Sequence, residues 1–409
     1  MKEKEWYKLD NIGVYYAPLR HKKRQIIFRY TVSLKDNIDE KILLEALKDT
    51  IKVFPNFHIN LKYGFFWYYL EESSKEIKVS KEHEPILHKL IYDEDDLLYR
   101  VTYYKKRINF ECSHILSDGR GSLEFFKILI SFYIKYYYKL NIDIDTNSSS
   151  IDRTEDSFDK YFKHSNGYKS SHKNIYHYKG LVLNNKTRYM EIHLNANKVL
   201  DLAHKYDASM TEFLVSVLIY SIMKEMNKRD YNKLIKIDIP VDLRSFNNSE
   251  SSKNYFGLAS VDFRPIKGNT DFESIIKVVK EEFKERINIE KLEERVNTMV
   301  NYQKLIAARL IPLFIKDIFM IITDKFTSKM HTTTLSNIGR VKFPDEIDKY
   351  IEYLSVLTTT EGFQFTIISN KNDLCIGISS IYKYNNIIRN FAIFFRDNNI
   401  DEDIYTEVC

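Results

Sequence analysis

The sequence predicts an α+β protein built as two lobes. Its 409 residues exceed what one small core requires and suit two domains of ordinary size. Strand-like and helical stretches run through residues 25–139 and again through 188–397, with a polar segment from Asn141 to about Lys186 between them. Hydrophobic residues make up 44% and charged residues 29%, the balance of a chain that folds.

The first half reads as strand, helix, strands, helix. Gln25 to Leu34 gathers Ile, Phe, Tyr, Thr and Val as a strand does. Ile38 to Val53 carries Ile42, Leu43, Leu47 and Ile51 at helical spacing, and Pro55 ends it. Phe57 to Leu61, Phe65 to Leu70, Leu97 to Tyr104 and Ile108 to His114 are further strands, the last after a turn at Lys105 to Arg107. An aromatic helix over about Ser122 to Lys139 follows, and its tyrosines pack one lobe.

The second half repeats the theme. Arg188 to Leu194 is a strand and Ala196 to Tyr206 a helix. Thr211 to Lys228 is a strongly apolar helix for which Thr211 supplies a capping hydroxyl. Strands follow at Leu234 to Pro240 and around Leu258 to Arg264, then one charged amphipathic helix from about Asp271 to Val300. Thr332 to Ser336, Ile351 to Thr359, Gly362 to Ser369 and Leu374 to Ser380 are strand-like, and a helix over Asn385 to Asp397 closes the series. The implied organisation is a first lobe over 1–145, a connection over 146–187 and a second lobe over 188–409. Two lobes of like make-up place a ligand at their junction.

Composition excludes several classes. The net charge of +5 comes from interspersed acids and bases, whereas nucleic-acid binders concentrate lysine and arginine on one face or tail. The run His21-Lys22-Lys23-Arg24 is short and reads as a solvated turn. Cys112, Cys375 and Cys409 form no CxxC pair, which points to reduced thiols in the cytoplasm. The charged start, Met1 to Trp6, is no signal peptide. The most membrane-like stretch, Leu305 to Thr323, is interrupted by Arg309, Lys316 and Asp317 and kinked at Pro312. It reads as a partly buried helix pair or a lid over substrate, not an integral span. His164, His172 and His177 have no cysteine or carboxylate at metal-ligand spacing, so no metal site is expected. There is no phosphate-binding glycine loop and no Gly-x-Ser-x-Gly elbow.

The passage that carries chemistry is Phe110-Glu-Cys-Ser-His114-Ile-Leu-Ser-Asp118-Gly119-Arg-Gly121. Strand alternation puts Ile108, Phe110, Cys112 and His114 on one face, so the imidazole ends an apolar strand as the chain turns. Asp118-Gly119 is a turn pair, and Gly121 permits a tight entry into the next helix. A histidine held in a fixed direction against low-dielectric walls, with a reference pKa of about 6.5, suits a general base. Taken by itself, a histidine after a strand is more often a satisfied core or surface residue.

His114-Ile-Leu-Ser-Asp118-Gly119 resembles the His-x-x-x-Asp-Gly signature of the chloramphenicol-acetyltransferase-like superfamily, which includes alcohol acetyltransferases, plant acyltransferases and condensation domains of peptide synthetases. Ile239-Pro240-Val241-Asp242-Leu243-Arg244, Asn254-Tyr255-Phe256-Gly257 and Leu335-Ser336-Asn337-Ile338-Gly339 resemble further elements of the alcohol acetyltransferase-like branch, in the same order. The resemblance covers nearly the whole chain. Ser113 stands where condensation domains have a second histidine, and the Asp-Phe-Gly-Trp-Gly segment of plant enzymes is missing.

The resemblance implies two lobes, each a mixed β-sheet covered by helices, with a tunnel at their junction and His114 near its middle. It implies an acyltransferase: His114 takes the proton of an alcohol or amine acceptor as it attacks an acyl thioester, acetyl-CoA or another acyl-CoA. The co-substrate is not permanently bound. Asp118 fixes the turn by pairing with an arginine, for which Arg244 is the candidate; Gly119 lets the backbone approach the tunnel, and Gly257, Ser336 and Asn337 are candidates for its lining. Cys112 is not needed as a nucleophile and reads as core filler. Two rivals come with the resemblance, a free-standing condensation-type enzyme served by an acyl or peptidyl carrier protein, and a non-catalytic binding protein of the same fold.

Overall fold

A computed structural model describes residues 4–21, 25–146, 150–163, 174–184, 186–266, 271–304 and 310–406. The first lobe is a sheet in the order Ile351–Thr358, Ile27–Leu34, Arg107–Ser113, Tyr99–Tyr104 and Ser80–Lys81. Along Ile27–Leu34 the side chains alternate. Phe28, Tyr30 and Val32 enter the main apolar core, while Arg29, Thr31 and Ser33 are also buried on the opposite face. That second face is polar because Arg29 binds Glu82 and Glu111, and Glu111 binds Arg100, so each charge taken out of water has an opposite partner.

Two helices cover the core face. Asp39 caps Glu40–Val53 through the backbone N–H groups of Lys41 and Ile42, and Leu43, Ala46, Leu47 and Ile51 are turned inward. Gly119–Tyr137 lies beside it and buries Leu123, Phe125, Phe126, Leu129 and Ile130. Phe125 stacks between Phe57 and Phe110 at centroid distances of 4.4 and 4.8 Å, each ring worth about 1.5–3 kcal/mol in buried area.

The second lobe is a seven-stranded mixed sheet in the order Phe256–Phe263, Ile235–Asp242, Thr333–Arg340, Phe363–Asn370, Asp373–Ser380, Arg188–Asn195 and Glu402–Thr406. Thr333–Arg340 runs parallel to both of its neighbours; the other pairs are antiparallel. The helix Met210–Glu225 is buried almost all round because Phe272–Arg286 and Asn386–Asp397 flank it. Its cap is Ser209, in a reciprocal box with Glu212, two residues earlier than the expected Thr211. Thr211 instead accepts a hydrogen bond from Asn337. The single helix expected from Asp271 to Val300 is two, Phe272–Arg286 and Ile289–Lys304. The break falls where the Asn288 side chain accepts from the N–H of Glu290 and starts the second helix afresh.

One strand joins the lobes. Ile351–Thr358, late in the chain, adds to the edge of the first sheet against Ile27–Leu34 and crosses the strands Phe363–Asn370 and Asp373–Ser380 of the second. Thr366 Oγ1 donates to the Val356 carbonyl at 2.5 Å, and that carbonyl sits where a Cβ at Gly377 would be. Only a glycine lets the backbones meet so closely there.

Two further elements matter below. Asp10 caps a short helix, Asn11–Tyr16, that the hydrophobic pattern did not reveal. Leu313–Thr327 is a helix that starts directly after Pro312, a position proline tolerates, and no described residue of it is buried. Leu313, Lys316, Asp317 and Asp324 are partly covered, so the helix is partly buried as the sequence implied; 305–309 lie outside the described residues, as do His164 and His172. Among the described residues no helix is long and apolar enough to cross a membrane.

Candidate active site

The strand Arg107–Ser113 ends at His114, whose backbone N–H still donates to Ile26 O at 3.0 Å, and the chain then turns through Ile115, Leu116 and Ser117. Asp118 caps the helix Gly119–Tyr137 by accepting from Gly121 N at 2.8 Å. Its carboxylate is almost fully buried. It accepts from Arg244 Nη2 at 3.0 Å on both oxygens, and its Oδ2 accepts from Tyr255 N at 2.7 Å. The second lobe thus docks directly onto the turn that follows His114.

Arg244 opens the short helix Arg244–Asn247 just past the strand Ile235–Asp242. Its other donors are used too: Nε binds Ser251 O at 2.7 Å, Nη1 binds Asp242 Oδ1 at 2.8 Å, and Nη2 also reaches Lys253 O. Burial works against the guanidinium charge, but Asp118 and Asp242 outweigh it and hold the pKa above its ordinary value. Ser117 Oγ donates to Ser252 O at 2.5 Å, which ties segment 251–255 to the first lobe a second time.

The His114 ring lies among aromatic rings, with Phe28, Tyr16 and Phe256 at centroid distances of 4.9, 5.5 and 6.3 Å. Burial lowers its pKa below the usual histidine value, against a raising influence from the Asn254 hydrogen bond and the Asp118 charge. The residue nevertheless keeps accessible surface. A desolvated imidazole in a residue that is not wholly covered suits a base in a confined site.

Asn254 is the polar neighbour. Its Oδ1 is 3.4 Å from His114 Nδ1, and its Nδ2 donates to His114 O at 3.0 Å and to Asp10 Oδ2 at 2.9 Å. Asp10, buried, also accepts from Asn254 N and from Gly13 N, and burial pushes its carboxyl up to about 7 against these hydrogen bonds. Neither Asp10 nor Asn254 was picked out as a site residue from the sequence. Asn254 opens the segment Asn254–Gly257, and Asp10 precedes an Asn-Ile-Gly start that carries an N-cap signal, but nothing in the spacing joins them to His114.

The remaining expected positions are more dispersed. Gly119 packs between Tyr30, whose hydroxyl donates to Gly119 O at 2.6 Å, and the side chain of Ile338. Gly257 faces Leu292 and Leu243. Asn337 donates to Thr211 Oγ1 at 2.9 Å and accepts from Gly339 N at 2.9 Å, holding the bulge at that point of the strand Thr333–Arg340, in which Ser336 pairs with Thr366. Cys112 is fully buried and its thiol is pushed up to about 12 by burial.

No protein-family model matches the chain, and no curated protein matches it in sequence. Solved structures do match over its whole length. TRI101 of F. graminearum, complexed with coenzyme A and T-2 mycotoxin, superimposes with a TM-score of 0.66 at 10% identity, covering 97% of this chain and 99% of that one. Polyketide synthase associated protein 5 from Mycobacterium tuberculosis gives 0.64 at 13%, with 95% and 97% covered. The first condensation domain of the CDA synthetase gives 0.59 at 11%, with 96% and 95% covered. The chain has the chloramphenicol-acetyltransferase-like fold. In this two-lobed fold the strand end bearing His114 and the segment bearing Asn254 and Arg244 come from opposite lobes and meet at the seam.

Proposed function

We propose that the chain is an acyltransferase that moves an acyl group from a thioester, acetyl-CoA or another acyl-CoA, to an alcohol or amine. The observation that carries this reading is the His114 ring, desolvated at the lobe seam in a residue that is only partly buried, with Nδ1 facing Asn254 Oδ1. Nε2 is then the nitrogen left for the acceptor. It takes the proton from the acceptor O–H or N–H as that atom bonds to the thioester carbonyl carbon. The carbon–sulfur bond breaks, and the imidazolium passes that proton to the departing thiolate, which leaves as the free thiol and returns the neutral base. A base so placed contributes about 10²–10⁴-fold, and holding both substrates in a tunnel between the lobes supplies the rest. Direct transfer suits a site whose cysteine, Cys112, is buried and strongly protonated.

In this reading Asp118 and Arg244 support the turn, and Gly119, Gly257, Ser336 and Asn337 flank the path of the substrates. Ser113, in place of a second histidine, speaks for the acyl-CoA enzyme over the condensation-type one. The test is to incubate the protein with acetyl-CoA and longer acyl-CoAs against a panel of alcohols and amines and to follow free thiol. Acceptor-dependent thiol release that disappears in His114→Ala supports the reading. Turnover only with a carrier-protein thioester moves it to the condensation-type enzyme, and ligand binding with no turnover to a binding protein.

A further inference from the structure

The helix Leu313–Thr327 is the least explained element of the molecule. Phe314, Ile315, Ile318, Phe319, Ile322 and Phe326 repeat at three- and four-residue intervals, so they share one side, and each is between 46% and 69% exposed. Soluble surfaces rarely carry so large a continuous apolar face without a use for it. The polar side of the same helix is turned to the protein. Asp317 accepts from the Tyr68 hydroxyl at 2.5 Å, Asp324 from the Tyr15 hydroxyl at 3.1 Å, and Lys316 donates to Phe66 O at 2.8 Å. The amphipathic helix is docked by its polar side and leaves its apolar side outward, the reverse of a helix that covers a core.

Its surroundings extend the face. Leu313 N donates to Phe65 O at 2.9 Å, which sets the turn carrying Phe65 and Trp67 beside the helix start. Phe65 and Trp67 are each more than 60% exposed. An exposed indole ring next to an apolar ridge is what the headgroup boundary of a bilayer favours.

Charge favours the same occupant. Residues 310–329 hold three bases, Lys316, Lys325 and Lys329, against two acids, Asp317 and Asp324. The acids are bound to tyrosines on the inner side, whereas Lys325 and Lys329 are exposed at the helix end. The outward surface is thus apolar with a basic edge, complementary to anionic lipid. At 15 residues the helix is about 22 Å long, enough to lie in the interface and too short to span it.

We propose that the face formed by Leu313–Thr327 with Phe65 and Trp67 docks the protein peripherally onto an anionic lipid surface. The docking rests on none of the reaction chemistry. It would, however, bring lipid close to the candidate site, since Tyr15, which binds Asp324 and Thr327, precedes the Tyr16 that packs on His114.

The experiment is vesicle flotation of the full chain with phosphatidylcholine alone and with phosphatidylcholine containing phosphatidylglycerol. Two variants accompany it, Phe314→Ser/Ile318→Ser/Phe319→Ser and Lys325→Glu/Lys329→Glu. These residues are exposed, so far-UV circular dichroism and melting should be unchanged in both. The parent should float with the anionic vesicles, less so at high salt, with a blue shift of tryptophan emission. The apolar variant should bind at least about tenfold more weakly, and the charge variant should lose the preference for anionic lipid. A parent that floats with neither vesicle, or an apolar variant that floats as well as the parent, overturns the proposal. So does a concentration-dependent dimer, abolished by the apolar variant, in a protein that ignores vesicles; the face would then belong to a second copy.

Discussion

Asn254 Oδ1 faces His114 Nδ1 at 3.4 Å, and the other end of the same amide decides which ring nitrogen holds the proton. The two N–H groups of Asn254 Nδ2 are directed to Asp10 and to the His114 carbonyl, both acceptors, so the amide has one orientation. Its oxygen must then accept, which keeps a hydrogen on Nδ1 and the lone pair on Nε2. Asn254→Ala removes that selection and the hold on the ring. Turnover should fall by about 10²-fold with a much smaller change in KM, since the loss is of base orientation and not of substrate contacts. Steady-state kinetics with a competent acyl-CoA and acceptor measure both, and a variant that changes KM alone would refute the assignment.

The pH profile follows from burial of the same ring. A base works when deprotonated, and desolvation lowers the His114 pKa, so kcat/KM should hold steady down to below about pH 6.5 and fall only at more acid pH. In Asn254→Ala the remaining activity should lose its acid limb at still lower pH, because the removed hydrogen bond raises the His114 pKa. His114→Ala should drop the rate about 10²–10⁴-fold, abolish this limb and leave the melting temperature near that of the parent. A wild-type acid limb well above pH 6.5 would place the titrating group elsewhere.

Asp118 and Arg244 form a buried ion pair across the lobe seam, and each is hydrogen-bonded on its remaining sides as well. Removing one member strands the other. Asp118→Asn and Arg244→Ala should therefore each cost about 3–5 kcal/mol in stability in addition to activity. Chemical denaturation reads the first and thiol release the second. Equal midpoints for Asp118→Asn and the parent would show that the pair carries no stability.

The two-lobe α+β layout was legible because the strands and helices alternate in period over long stretches, and the strand-to-helix turn from His114 to Gly119 was legible because a short motif carries it. What the sequence hid was contact between distant segments. Asp10 and Asn254 are 244 positions apart and meet only after the lobes dock. Ile351–Thr358 reads as a strand, but nothing local says that its partner is Ile27–Leu34 in the other lobe. Leu313–Thr327 has an apolar period that normally means burial, and the inversion of its polar side depends on Tyr15 and Tyr68, which no window of the sequence places beside it.

Gly121 gives the sharpest test of how closely the lobes meet. A Cβ built there falls within van der Waals contact of the Ser252 carbonyl, a backbone atom pinned by Ser117 Oγ and by the hydrogen bond from Ser252 N to Arg153 O, and it lies 2.7 Å from Ser117 Oγ. Neither neighbour can retreat without moving segment 251–255, and Arg244 and Asn254 depend on that segment. Gly121→Ala should therefore cost about 1–3 kcal/mol as an overpacked contact and lower turnover by displacing Asn254 from His114. Adding Ser117→Ala relieves the hydroxyl contact but leaves the carbonyl in place, so it should not restore activity. Gly257→Ala is the control for stability: its nearest neighbour is the Leu292 side chain at 3.3 Å, which can yield by a few tenths of an ångström, so the melting temperature should change little. If Gly121→Ala melts and turns over like the parent, the seam is looser than these contacts require and the positioning of Asn254 does not depend on it.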